Sequence, residues 1–118
     1  MSHTADFEIT EASSGGRATI LRVRGRLDGA TAPALLERCA LIQAQGQNLV
    51  LNLSQVSFLG SSGIGAMLVL VEQFQEQAGE VRFAELSATA KSVVALLDLG
   101  QYLNIHATEE QAVDALAA

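Results

Sequence analysis

The sequence predicts an α/β protein: a mixed five-stranded sheet with about four helices, in the order β-β-α-β-α-β-α-β-α. Three observations lead there. From Thr31 onward, apolar runs of strand length alternate with segments of helical spacing, and that alternation gives parallel strands joined by helices. The two segments before Thr31 alternate polar with apolar around a Ser/Gly-rich stretch, which reads as an antiparallel hairpin. The run Asn48 to Leu53 carries Leu49, Val50, Leu51 and Leu53, apolar on both faces, as a central strand covered by helices requires.

The elements follow in order. Phe7 to Thr10 alternates, with Phe7 and Ile9 on one side, and is expected as an edge strand. Glu11 to Arg17 holds two serines and two glycines and forms the hairpin loop. Ala18 to Arg24 sets Thr19, Leu21 and Val23 against Ile20, Arg22 and Arg24, a second strand with one face partly wet. Gly25 to Gly29 is read as a loop. Thr31 then caps a first helix, with Pro33 in its first turn and Leu35, Leu36, Cys39 and Ile42 as its apolar stripe, ending at Gly46. The second helix is expected from Ser62 to Gln77. Its inner stripe is Ile64, Met67, Leu68, Val71 and Phe74; Ala66, Val69 and Leu70 make its first half apolar on the other side too, and Gly79 stops it. Val81 to Ala84 is a strand. Ser87 caps a third helix, Ala88 to Leu97, whose apolar face is Val93, Val94, Leu96 and Leu97, with Gly100 punctuating its end. Leu103 to His106 is a last short strand. Thr108 and Gln111 form a capping box before a final helix that turns Ala112, Val113 and Leu116 inward.

Bulk properties narrow the function. At 118 residues and 49% hydrophobic, the chain is expected to be one domain, residues 1–118, with a real core. Its longest apolar run, Ile64 to Val71, is too short to span a bilayer, and the N-terminus has neither a basic region nor an apolar signal core. A cytoplasmic location is therefore expected. The single cysteine, Cys39, has no internal partner for a disulfide and falls on the first helix's apolar stripe, so it is read as core. A net charge of -6 disfavours nucleic acid and anionic lipid. With no Trp and one Tyr there is no aromatic platform for bases or sugars. Proteins and small molecules remain as candidate partners.

The stretch from Ser54 to Val71 organises the rest. A strand breaks at Gly60, passes Ser61 and Ser62, and becomes an apolar helix. A helix start leaves backbone N–H groups without acceptors and collects partial positive charge. It can hold an anion, including a phosphate esterified to its own serine. Ser61 and Ser62 read either as helix caps or as a switch, and Gly63 and Gly65 as residues that let the helix approach the sheet. The order Gly60-x-x-Gly63-x-Gly65 is wrong for a dinucleotide loop and no Lys follows for a P-loop, which leaves Glu85 without a ribose to bind. His3 and His106 have no companion at ligand spacing, so no metal and no cofactor are expected. Asp28 is either a turn former ahead of Thr31 or a rim contact to a partner.

Several segments together resemble a known family. G-x-L-D at Gly25 to Asp28, L-x-L-S-x-V-x-F at Leu51 to Phe58, S-S-G-I-G at Ser61 to Gly65 and Leu86-Ser87 are similar to the STAS domain, in its stand-alone bacterial branch of anti-sigma factor antagonists. The resemblance implies a binding module and not an enzyme. Its partner would be a serine kinase that also acts as an anti-sigma factor. Phosphorylation of the first serine of the pair, matching Ser61 (less well Ser62), would release that partner, and a serine phosphatase would reset the switch. The contact surface would comprise Asp28, Gly60, Ser61, Ser62, Gly63, Ile64 and Met67, on a monomer or weak dimer. The family usually carries Asp where this chain has Gly60, which removes a charge from the turn. The alternative is a non-switching STAS subunit of a lipid-transport or stress-signalling assembly.

Overall fold

The computed structural model describes residues 7–116; His3 lies outside them. The elements are β1 (Glu8–Ser13), β2 (Ala18–Leu27), α1 (Ala32–Ala44), β3 (Asn48–Leu59), α2 (Ser61–Glu76), β4 (Val81–Ala84), α3 (Ala88–Leu96), β5 (Ile105–His106) and α4 (Glu109–Asp114). The predicted order holds. The strands lie β1-β2-β3-β4-β5 across one sheet, with β1 antiparallel to β2 and the other neighbours parallel.

Side chains of β3 alternate between two cores. Leu49, Leu51 and Leu53 join Leu21, Val23 and Phe83 beneath the buried faces of α1, α2 and α3. Val50 joins Ala18, Ile20 and Ala84 beneath Ala112, Val113 and Leu116 of the α4 end. Cys39 is fully buried, and burial pushes its thiol up to about 12, as an inert core residue should show.

Several boundaries differ from expectation for physical reasons. β2 runs on to Leu27, so Gly25 to Leu27 are strand and not loop, and β3 continues past Leu53 to Leu59, up to the expected break at Gly60. Their pairing slips between Arg22 and Arg24 and between Gly25 and Arg26, and β3 takes up the extra residues as bulges. Gly25 meets this with φ +107, a conformation few other residues tolerate. The first bulge is held by the Ser54 N–H donating to Asn52 Oδ1 at 2.8 Å. Thr31 sits at the α1 N-cap but makes no side-chain cap. Its hydroxyl instead donates to the Arg26 carbonyl at 2.6 Å and accepts from the Asp28 N–H at 3.0 Å, closing the β2–α1 turn.

The second and third helices end within one residue of expectation, with Gln77 and Leu97 as C-caps, but the reversing residue after each is not glycine. α2 ends with Ala78 at φ +60, the Ala78 N–H donating to Gln75 and the Gly79 N–H to Phe74. α3 ends alike at Asp98, with the Leu99 N–H donating to Val94. Both are left-handed caps of the type glycine usually fills. The reversal at Asp98 packs Leu99 on the core and leaves Leu96 and Leu97 outside; Ala90 and Val94 form the inner face.

The second core is fastened by polar contacts. Glu109 opens α4 and accepts from both Arg22 Nε (2.8 Å) and Nη2 (2.9 Å) and from Asn52 Nδ2 (2.6 Å). Its own N–H donates to Glu85 at 3.1 Å. The Arg22 hydrogen bond, against the opposing pull of desolvation and with help from Asn52, holds the Glu109 carboxyl below its usual value. A depressed carboxyl stabilises the fold at pH above its unfolded value, and that contribution fades as pH falls through the folded one. Glu109→Gln should therefore cost about 1–2 kcal/mol at pH 7 in urea unfolding, since a charged bidentate pair is lost. The gap between variant and wild type should shrink as the pH is lowered below 4.5, the carboxyl's ordinary value. A gap that stays constant down to pH 3 would contradict this role.

Candidate functional site at the start of α2

β2 and β3 end side by side, and their carboxyl ends shape the site. The Gly60 N–H donates to the Leu27 carbonyl at 3.0 Å. Gly60 is extended at the α2 N-cap and supplies no side-chain cap, while its carbonyl accepts from the Ile64 N–H. The first turn of α2 holds no acidic residue. The N–H groups of Ser61 to Gly63 thus precede the helix's own acceptors and face an uncompensated dipole end.

Ser61 and Ser62 are both exposed. No hydrogen bond to the Ser61 hydroxyl is formed among the described residues. Ser62 Oγ stands beside Gly29, 3.4 Å from where a Cβ there would lie, so the β2–α1 turn borders the serines. Gly63 is buried against Leu27, where helix and strand touch backbone to backbone; Gly65 has open space around it.

Ile64 and Met67 do not belong to the surface: they are 7% and 0% exposed and serve the core. Residues 63, 64, 66, 67, 70 and 74 form the buried face of α2. The helix is rotated from the predicted stripe, because Gly63 seats it on Leu27 and brings Ala66 and Leu70 inward. Val71 is half-buried at the margin, and Leu68 and Val69 turn outward at 37% and 39% exposure. Leu68 lies seven residues beyond Ser61, and Val69 seven beyond Ser62, so at helical spacing they share the serines' face. The exposed apolar opening of the helix exists, carried by different residues.

Asp28 acts as the turn former. Its Oδ1 accepts from the Ala30 N–H at 3.0 Å and its Oδ2 lies 3.3 Å from Arg26 Nε. Desolvation pushes the carboxyl up, but the Ala30 N–H, Arg26 and Thr31 together outweigh it and hold the group below its usual value. It remains partly exposed, so the rim-contact role stays open to it.

Two residues here escaped the sequence reading. Arg26 continues the outward alternation of Arg22 and Arg24, and it was hidden by the loop assignment. Phe58 pairs with Arg26 across the two strands, and the guanidinium carbon lies 4.1 Å from the ring centroid. The ring edge reaches 3.0 Å from the point where a Cβ on Gly60 would stand. Asp28 Cβ is 3.8 Å from that same point. Glu85 and His106 lie elsewhere, at the α4 end: His106 Nε2 is 3.2 Å from Arg82 Nη1. Groups of three or more potential metal ligands are absent among the described residues.

These features define a small α/β module that displays a helix start, with two hydroxyls and a short apolar strip, at the carboxyl edge of a mixed sheet. The chain belongs to the STAS domain family, whose model matches residues 10–112. It is 30% identical over 97 residues to an anti-sigma F factor antagonist of Lysinibacillus sphaericus, across 80% of this chain and 82% of that protein. An anti-sigma factor antagonist from Mycobacterium paratuberculosis shares the fold, with a TM-score of 0.84 at 24% identity over 98% of each chain. The Bacillus cell fate determinant SpoIIAA in its phosphorylated form matches with a TM-score of 0.69 at 25% identity, over 91% of this chain and 97% of that one. Among the described residues no helix is long and apolar enough to cross a membrane.

Proposed function

We propose that this protein is an anti-sigma factor antagonist, a cytoplasmic, non-enzymatic binding module that docks on an anti-sigma serine kinase and is released when Ser61 is phosphorylated. The observation that carries the reading is the exposed Ser61 hydroxyl in the first turn of α2, on the same helix face as exposed Leu68. The kinase supplies the nucleoside triphosphate. Ser61 Oγ attacks its γ-phosphorus, the bond to the departing diphosphate breaks, and the hydroxyl proton passes to a base of the kinase. The product dianion sits where the dipole favours it by about 0.3–1 kcal/mol, so the fold survives modification. A serine phosphatase hydrolyses the ester and restores the hydroxyl. The names of the antagonist relatives and the existence of a phosphorylated SpoIIAA support this reading.

A second reading has Gly60 behind it. Without a carboxylate ahead of Ser61, the same face would serve as a permanent interface of a lipid-transport or stress-signalling assembly. The two readings separate in one experiment. Incubation with the cognate kinase and ATP, read by intact-mass and peptide spectrometry, should add one phosphate at Ser61, and Ser61→Ala should take none. No incorporation, or incorporation unaffected by Ser61→Ala, would leave the permanent interface as the better account.

A further inference from the structure

We propose that Arg26 is the phosphate-holding residue of this switch: once Ser61 carries a phosphate, the Arg26 guanidinium leaves the Asp28 carboxylate for it, sliding on the Phe58 ring. This rests on the reading of Ser61 as the modified residue.

The arginines of β2 differ in how they are held. Arg22 grips Glu109 through Nε and Nη2 at 2.8 and 2.9 Å. Arg24 grips Glu8 through the same two nitrogens at 3.2 and 2.9 Å. Arg26 reaches Asp28 through Nε alone, at 3.3 Å, and its terminal nitrogens make no hydrogen bond among the described residues. Charge-assisted hydrogen bonds ordinarily run about 2.7–2.9 Å, so this contact is weak. Releasing it strands no buried charge. Asp28 keeps the Ala30 N–H, and the Arg26 side chain is 60% exposed.

Position favours the exchange. The guanidinium carbon of Arg26 lies over the Phe58 ring, 4.1 Å from its centroid, while the edge of the same ring abuts Gly60, the residue before Ser61. One ring therefore borders both the cation and the residue that precedes the serine. The first turn of α2 adds no carboxylate of its own to the site. A phosphate dianion offers the two-pronged geometry that guanidinium prefers and that Asp28 does not supply here.

The test installs phosphoserine at position 61 during translation, so that no kinase is needed, and follows the second phosphate ionisation by 31P NMR against pH. An adjacent cation favours the dianion. The ionisation should fall at lower pH in the wild type than in Arg26→Ala, by about half a unit or more, with Arg26→Lys between them. Circular dichroism of the unmodified Arg26→Ala protein verifies that the fold is retained. Superposable titrations in wild type and Arg26→Ala would overturn the proposal. So would an Arg26-dependent shift seen with phosphoserine at position 62 and not at position 61. Because the phosphate is placed without a kinase, either outcome is independent of whether a kinase recognises the chain.

Discussion

Gly63→Ala is expected to destabilise the fold by about 3 kcal/mol, the upper end of what overpacking costs. A methyl at that position would lie 2.6 Å from the Leu27 carbonyl oxygen, 2.8 Å from Leu59 Cδ1 and 3.0 Å from Leu27 Cγ. None of these can step aside cheaply. The Leu27 carbonyl is engaged by the Gly60 N–H, and both leucines are buried. Relief requires lifting the start of α2 off the sheet, which also disturbs both serines. Gly65→Ala is the matched control. A Cβ there meets nothing within 4 Å, and glycine in a helix interior is worse than alanine by about 1 kcal/mol, so this variant should be more stable than the wild type. Urea unfolding of the pair reads both effects, and equal stabilities would mean that α2 does not rest on the Leu27 backbone.

Phosphorylation of Ser61 should weaken binding to the partner kinase by about 100-fold, since a few kcal/mol of desolvation cost converts to that factor. The phosphate would stand on the face that carries Leu68, about two helical turns away. A partner covering both must strip water from a dianion to bury an apolar strip. Calorimetric titration of phosphorylated, unmodified and Ser61→Ala proteins should rank them weak, tight and tight. Leu68→Ala should weaken binding even without phosphate. Equal affinity of modified and unmodified protein would remove the basis of the switch.

The sequence carried the architecture because periodicity is a global signal. Alternation in β2, two-sided apolarity in β3 and the stripe of α1 each involve several residues, so single exceptions do not disturb them. The Thr108 cap was legible for another reason: a hydroxyl three residues ahead of its N–H donor is a local device, and Thr108 Oγ1 does accept from Gln111 at 3.0 Å. Which of two apolar faces points inward is not local. In α2 both faces were apolar, and the rotation was decided by a contact between Gly63 and Leu27 that no spacing rule contains. The burial of Ile64 and Met67 and the exposure of Leu68 and Val69 follow from it. The Arg26–Phe58 pair was illegible likewise, since it depends on a parallel register shifted by two bulges. The left-handed turns at Ala78 and Asp98 were not legible, because a glycine one or two residues beyond each is the usual carrier of that conformation.

The tie between the Gly60 N–H and the Leu27 carbonyl has a bearing on how information leaves this molecule. It anchors the turn at its first residue, and Gly63 rests on the same oxygen three residues later, so the pair of hydroxyls is bracketed by two contacts with one strand carbonyl. Two ties to one strand carbonyl hold the serine turn to the end of β2, so a charge added at Ser61 would alter the surface there more readily than the course of the backbone. On the proposed function, a partner would sense that altered surface directly.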